Sequence, residues 1–340
     1  MSGQGMEVAS MAENRTTIAV DAMGGDHGPQ TVVPGVLNAL RCEGAPKARL
    51  YGDQATLDAV LSQHDLEGLD IEVVPCVQDI EMGEAPASAI RKRPDSPIVR
   101  ALSDHREGLV QAVVSAGSTG AMVAGSLMLL GRIPGVDRPA IATIVPTYTG
   151  HFLLLDVGAN VQCTPEHLHC FARMGQLYCT ELIGVETPRV GLLNIGEEAS
   201  KGTELCIESH RLMAADPSLG FVGNVESRKL LFGVADVVVT DGFTGNMVLK
   251  LIEGFGAFLQ KAASDHGGSS QPKGGDGLEA LIARLDYATY GGALLLGVRG
   301  TSIIAHGSSS SLAITNAVRT AHRLASQNTP ARLAVELAGP

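Results

Sequence analysis

No tryptophan occurs in the 340 residues, and aromatic residues make up only 4% of them. A chain so poor in flat rings has little with which to stack bases or sugars. Charge is sparse too, at 18%, and it leans acidic, with a formal net charge of −11. Nucleic-acid binders need a basic face against phosphates, so that class is excluded as a general reading. The six cysteines, Cys42, Cys76, Cys163, Cys170, Cys179 and Cys206, never fall at CxxC spacing. With no secretory leader in view, they read as reduced thiols of a cytoplasmic protein. Long apolar runs are missing as well. The longest, Gly120 to Gly131, is well short of the roughly 20 residues a membrane span needs.

What is abundant is glycine, with 41 residues, inside a chain that is 45% hydrophobic. Residues 1–14 lack periodicity and read as a disordered leader, and 334–340 as a tail. Between them, over 15–333, one local grammar recurs: a short β-branched run, a polar residue, a glycine turn, then a helical pattern. It appears at Thr17–Asp26, Ala112–Gly120, Phe152–Asn160, Val190–Glu198 and Asp236–Asn246. Continuous apolar strands alternating with helices predict a mainly parallel sheet covered on both faces, in a single α/β unit. Ligands of such sheets lie beyond the carboxyl ends of the strands, so these five polar ends are expected to share one site.

Thr164-Pro165-Glu166 supplies an N-cap, a first-turn proline and an acid, so a helix opens there and runs toward Gly175. Residues 250–290 read as an amphipathic helical hairpin interrupted by a Gly/Ser insert at 264–277. Its first limb carries Leu251, Ile252, Phe255, Phe258 and Leu259, and its second Leu278, Leu281, Ile282 and Leu285.

Several turns can carry chemistry. Ser115-Ala-Gly117-Ser118-Thr119-Gly120 opens into a helical run, where free backbone N–H groups suit an oxyanion; the same pattern also makes a plain tight turn. Lys201 follows a strand end and suits a phosphate as a point charge, or else pairs with its neighbours Glu197, Glu198 and Glu204. Asp241 and Asn246 bracket another strand end. There an amide can donate to a developing oxyanion, or form an Asx turn that caps the next helix. Asp21 can orient a lysine or ligand, or satisfy neighbouring turn amides. Asp26, Asn160, Asn194 and His306 stand at further turns as candidate substrate contacts.

Cys163-Thr-Pro-Glu-His167-Leu-His169-Cys170 imitates a metal site. However, a helix from Pro165 throws the two histidines about 200° apart, where joint ligation needs i,i+4. No metal is expected. Cys163 has no general base placed beside it by local sequence. Seven cations between Arg91 and Arg138 face only four acids. Arg91, Lys92, Arg93 and Arg100 lead that stretch, which is a docking surface for an acidic partner or a solvated helix face.

The segments Ile18–Asp26, Ser115–Ala121, Leu155–Val161, Gly191–Glu198 with Lys201-Gly202, Gly223–Glu226 and Asp241–Asn246 resemble, in order and spacing, one known family. It is the acyl-carrier-protein:phosphate acyltransferases of bacterial phospholipid synthesis, and the likeness spans roughly residues 16–325. Three positions depart from its pattern: Ser118 where asparagine is usual, Gln162 where aspartate is, and Leu294 where proline is.

The resemblance implies a Rossmann-like α/β/α fold akin to phosphotransacetylases and isocitrate-type dehydrogenases. It implies a homodimer without cofactor that makes acyl phosphate from acyl carrier protein thioester and inorganic phosphate. It also implies delivery to a membrane-bound glycerol-3-phosphate acyltransferase, with peripheral membrane contact. On that reading Lys201 and the Ser115–Gly120 turn hold phosphate. Asn246 polarises the carbonyl, Asp21 or Asp241 orients the lysine, and Arg91, Lys92, Arg93 and Arg100 receive the carrier. Two rivals use the same grammar: a metal- and nicotinamide-dependent hydroxyacid dehydrogenase, for which no aspartate cluster is visible, and a membrane-associated scaffold using the hairpin.

Overall fold

A computed structural model describes residues 15–81, 83–266 and 291–337. The leader, the tail from residue 338 and the second limb of the expected hairpin lie outside the described residues. The chain divides into two compact units. The first comprises Met1–Gly131 and Val298–Arg332, the second Arg132–Gly297 and Leu333–Pro340. The same strand–turn–helix grammar runs through both, so nothing in the local pattern marks where one core stops and the next begins.

In the first unit the strands β1 (Thr17–Asp21), β2 (Lys47–Gly52), β3 (Ile71–Pro75), β4 (Ala112–Ser115) and β11 (Thr301–Ile304) lie in the order β3-β2-β1-β4-β11. All of their pairings are parallel. Ile18, Ala19 and Val20 are at most 1% exposed, as are Val113 and Val114, as a centre strand covered on both faces requires. Helix α1 (Pro29–Leu40) packs against α9 (Ser311–Ser326) on one face. Thr315 Oγ1 donates to the Gly35 carbonyl at 2.8 Å across that contact. Helix α5 (Thr119–Gly125) leaves β4 and continues as a π turn over Ser126–Leu130, ending at Gly131 with φ +80°.

The second unit orders its strands β10-β5-β6-β9-β7-β8, with β5 (Ala140–Pro146), β6 (His151–Leu155), β7 (Val190–Asn194), β8 (Phe221–Glu226), β9 (Val237–Val239) and β10 (Ala293–Leu296). Strands β6, β9, β7 and β8 run parallel, while β5 is antiparallel to both of its neighbours. The helix expected at Pro165 forms as α6 (Pro165–Tyr178). Thr164 caps it, and His167 closes the box by accepting the Thr164 N–H. It outruns Gly175 by three residues, because that glycine packs against Val237 and Leu155 inside the helix. Helix α7 (Glu204–Ala214) joins β7 to β8, and α8 (Gly242–His266) follows β9.

All five strands read from the grammar exist. Their polar ends stand at the carboxyl edge of each unit's sheet: Asp21 and Ser115 in the first, Asp156, Asn194 and Thr240 in the second.

Candidate active site

In the first unit three turns from distant parts of the chain meet beyond β1, β4 and β11. Ser115 Oγ donates to Asp21 Oδ2 at 2.7 Å, and the Gly117 N–H donates to Ser115 Oγ at 3.0 Å. The Asp26 N–H reaches the Gly307 carbonyl at 2.7 Å. Asp21 Oδ1 accepts from the Met23 and Gly24 N–H groups. Its carboxyl therefore satisfies its own turn, and among the described residues no lysine is bonded to it. Burial pushes it up to about 6, against the pull of the Ser115 hydroxyl.

These turns line a cavity of about 240 Å³ with Gly117 and Ser118 on one wall and Asp21, Asp26, Asp79 and Glu81 on others. Ser118 Oγ caps α5 by accepting from Ala121. Acidic residues therefore line the same cavity as the Ser115–Gly120 turn expected to hold phosphate. His306 is exposed and its Nδ1 bonds Ser308 Oγ at 2.7 Å.

In the second unit the organising group is Asp156, fully buried at the end of β6. Its Oδ1 accepts from the N–H groups of Ile141, Gly158 and Ala159, and its Oδ2 from the N–H and the side-chain Nδ2 of Asn160. Burial raises its pKa, and these donors oppose the rise. Asn160 also reaches the Pro139 carbonyl at 2.7 Å, so it is a strut of this turn and has little left for substrate.

The turn is packed hard against the start of α8. A β-carbon on Gly245 would stand 1.9 Å from the Asp156 carbonyl oxygen, so only glycine fits there. Asp241 caps α8, its Oδ1 taking the Phe243 and Thr244 N–H groups and its Oδ2 the Thr244 hydroxyl. Each carboxylate oxygen of Asp241 thus accepts from its own turn, and among the described residues no lysine is bonded to it. Asn246 sits one turn further on, half-buried, with its Nδ2 against Gly158.

Lys201 is exposed, and among the described residues its ammonium has no carboxylate partner. Of its glutamate neighbours, Glu197 bonds Lys229. Asn194 is buried and spends its amide on the loop that carries Lys201, donating to the Lys201 carbonyl at 3.0 Å.

The histidines of the false metal motif diverge as the helical spacing requires: His167 bonds Asp137 and His169 bonds Asp216, each at 2.8 Å. Among the described residues no group of three or more His, Cys, Asp or Glu side chains is placed to hold a metal. Burial pushes the Cys163 thiol up to about 11, which leaves little thiolate near neutral pH. All six cysteines are free. Of the docking cations, Arg93 pairs with Glu84 and Arg100 with Asp95, whereas Arg91 and Lys92 have no ion partner among the described residues. No helix among the described residues is long and apolar enough to cross a membrane.

Asp156 and Asn224 are the residues sequence reasoning passed over. Both stood inside the quoted segments, but a buried carboxylate or amide inside an apolar run carries no local sign of what it binds.

Comparison with known proteins bears on what these groups do. A family model described as a fatty acid synthesis protein matches residues 16–332. The phosphate acyltransferase of Syntrophotalea carbinolica is 46% identical over 333 residues, covering 95% of this chain and 94% of the relative. That of Moorella thermoacetica is 47% identical, covering 91% and 92%. Among solved structures, a phosphotransacetylase from Streptococcus pyogenes superposes with a TM-score of 0.61 at 16% identity, covering 96% of this chain and all of that one. That likeness speaks for the fold alone.

Proposed function

Because the chain belongs to the phosphate acyltransferase family and is an acyltransferase, we propose that Lys201 and Asn246 carry its chemistry, with acyl carrier protein thioester as donor and inorganic phosphate as acceptor. A phosphate oxygen attacks the thioester carbonyl carbon and the carbon–sulfur bond breaks. Acyl phosphate is formed, and the carrier leaves as a thiolate that takes up a proton. With a thiol leaving group of pKa about 8.5, no strong acid or base is needed. The enzyme must hold a dianion close to the carbon and stabilise the oxyanion that develops there.

The unpaired ammonium of Lys201 is the observation that carries this reading. Among the described residues it has no ion-pair partner, in a protein of net charge −11, and Glu197 of its own loop is bonded to Lys229. Asn246 supplies the neutral donor, an Nδ2 lying against Gly158 of the Asp156 turn.

Arg91 and Lys92 offer the remaining unpaired cations for an acidic carrier. On α8, Phe243, Met247, Leu251 and Phe255 recur every four residues and are each more than half exposed. Such a stripe supports a second copy of the chain as partner, with a lipid surface as its competitor.

The direct experiment combines long-chain acyl carrier protein, phosphate and the protein, and looks for acyl phosphate by mass. Lys201→Ala and Asn246→Ala are each expected to lower kcat about a hundredfold or more while leaving the fold intact. A wild-type rate in either rejects that residue's role.

A further inference from the structure

We infer that Asn224 and Asn194 are positioning residues for Lys201, holding its loop so that the ammonium is pre-set for phosphate; this rests on the phosphate role proposed for Lys201. A lysine on an exposed loop has a flexible four-carbon stem and loses much freedom when it binds an anion. Lys201 is exposed, yet its backbone is tied at several points.

Asn194 ends β7, and Asn224 lies in the neighbouring parallel strand β8, in register with Leu192. They are 8% and 7% exposed, both far more buried than the loop they hold. Asn224 Nδ2 donates to the Glu198 carbonyl at 2.8 Å, and the same carbonyl accepts the Lys201 N–H at 3.0 Å. Asn194 Oδ1 accepts the Ile195 N–H at 2.8 Å, and its Nδ2 donates to the Lys201 carbonyl at 3.0 Å. The start and end of the Ile195–Lys201 loop are thus fastened to Asn194 and its middle to Asn224, both buried carboxamides.

Two close approaches tighten the arrangement. Gly202 has φ +91°, and a β-carbon there would stand 2.4 Å from Asn194 Oδ1, so the loop is pressed onto that amide. The Lys201 stem lies along Gly196, whose β-carbon would come within 3.0 Å of Lys201 Cγ. Lys229 meanwhile holds Glu197, while Glu198 Oε2 lies beside the same Gly196 face as the lysine stem. Asn224 Oδ1 is buried with no hydrogen-bond partner among the described residues. An amide kept at that disadvantage is explained by the work of its donor.

The test reads phosphate binding and turnover together. In Asn224→Ala and Asn194→Ala, kcat/KM for phosphate should fall at least tenfold while KM for the acyl thioester stays within twofold. Phosphate affinity, followed by 31P line broadening, should weaken in parallel. Adding Asn224→Ala to Lys201→Ala should weaken phosphate binding no further, because the amide acts only through the lysine. Asn224→Asp, which keeps the shape but turns the donor into an acceptor, should behave like Asn224→Ala and guards against simple misfolding.

Equal losses for both substrates, an additive loss in the double variant, or unchanged phosphate kinetics would overturn the inference. Lys201→Ala with wild-type phosphate affinity would instead remove the phosphate role of Lys201 itself. Weakened binding in Lys201→Ala with no effect from either asparagine would remove the positioning role alone.

Discussion

A β-carbon on Gly158 would stand 3.1 Å from Nδ2 of Asn246, so the backbone of one strand-end turn sets where the amide of the next helix lies. Gly158 also has φ +140°, a conformation other residues rarely adopt. Gly158→Ala should therefore displace the Asn246 amide and lower kcat at least tenfold, with a stability loss of only about 1–2 kcal/mol. Steady-state kinetics beside urea unfolding check both halves.

Removing Asp156 should act on the fold before it acts on chemistry. Its two oxygens take five N–H donors, all buried or partly buried. Asp156→Ala leaves those donors without an acceptor, and a loss of roughly 3 kcal/mol or more is expected. Asp156→Asn should recover only part of it, since one oxygen becomes a donor facing donors. Urea unfolding of the two variants gives the comparison.

Asp21 makes a pH prediction of definite sign. Its carboxyl is raised from 3.8 to about 6 by burial, so between those values the folded state holds a proton that the unfolded chain has lost. This residue's contribution to stability is therefore greatest in acid and declines as pH rises through that window. Asp21→Asn does not titrate. Its unfolding free energy relative to wild type should improve by about 2 kcal/mol between pH 4.5 and 7.5, and an unchanged difference would count against the shift.

His105 has the opposite slope. It is held neutral between the Val110 carbonyl on Nδ1 and the Thr301 N–H on Nε2, and burial lowers its pKa below 6.5. Below about pH 6.5 the unfolded chain takes up a proton the folded state refuses, so stability falls as pH drops. His105→Gln should show a flatter profile from pH 7 to 5.5 by denaturant titration.

Leu251→Glu tests the stripe on α8, where Leu251 is 73% exposed. If a second copy covers that face, sedimentation velocity should show a dimer that the substitution converts to monomer. The helix should survive, because the change removes no internal contact of consequence.

Much of this architecture was legible in the residues. The capped helix at Pro165, the five apolar strands and the divergence of His167 from His169 follow from spacing, and spacing is fixed by 100° per helical residue and alternation in strands. The partners of polar groups were not legible. Asp241 and Asp21 look alike as strand-end carboxylates with glycines nearby, and only folding reveals that both are consumed by neighbouring N–H groups. Lys201 could not be separated from a surface ion pair until Lys229, 32 residues from Glu197, was seen to have taken that glutamate. The acidic wall beside Gly117 was equally hidden, because Asp79 and Glu81 arrive on a different stretch of chain.

The late arrival of β11 bears on how the protein is made. During translation β4 has its partner β1 almost at once, but its other edge waits until residues 301–304 leave the ribosome, some 190 residues later. For that interval a mostly apolar strand offers open hydrogen-bonding groups to any neighbour. Synthesis stalled or truncated before residue 300 should therefore yield aggregating, chaperone-bound fragments, and supplying residues 298–332 as a separate peptide is the natural way to rescue them.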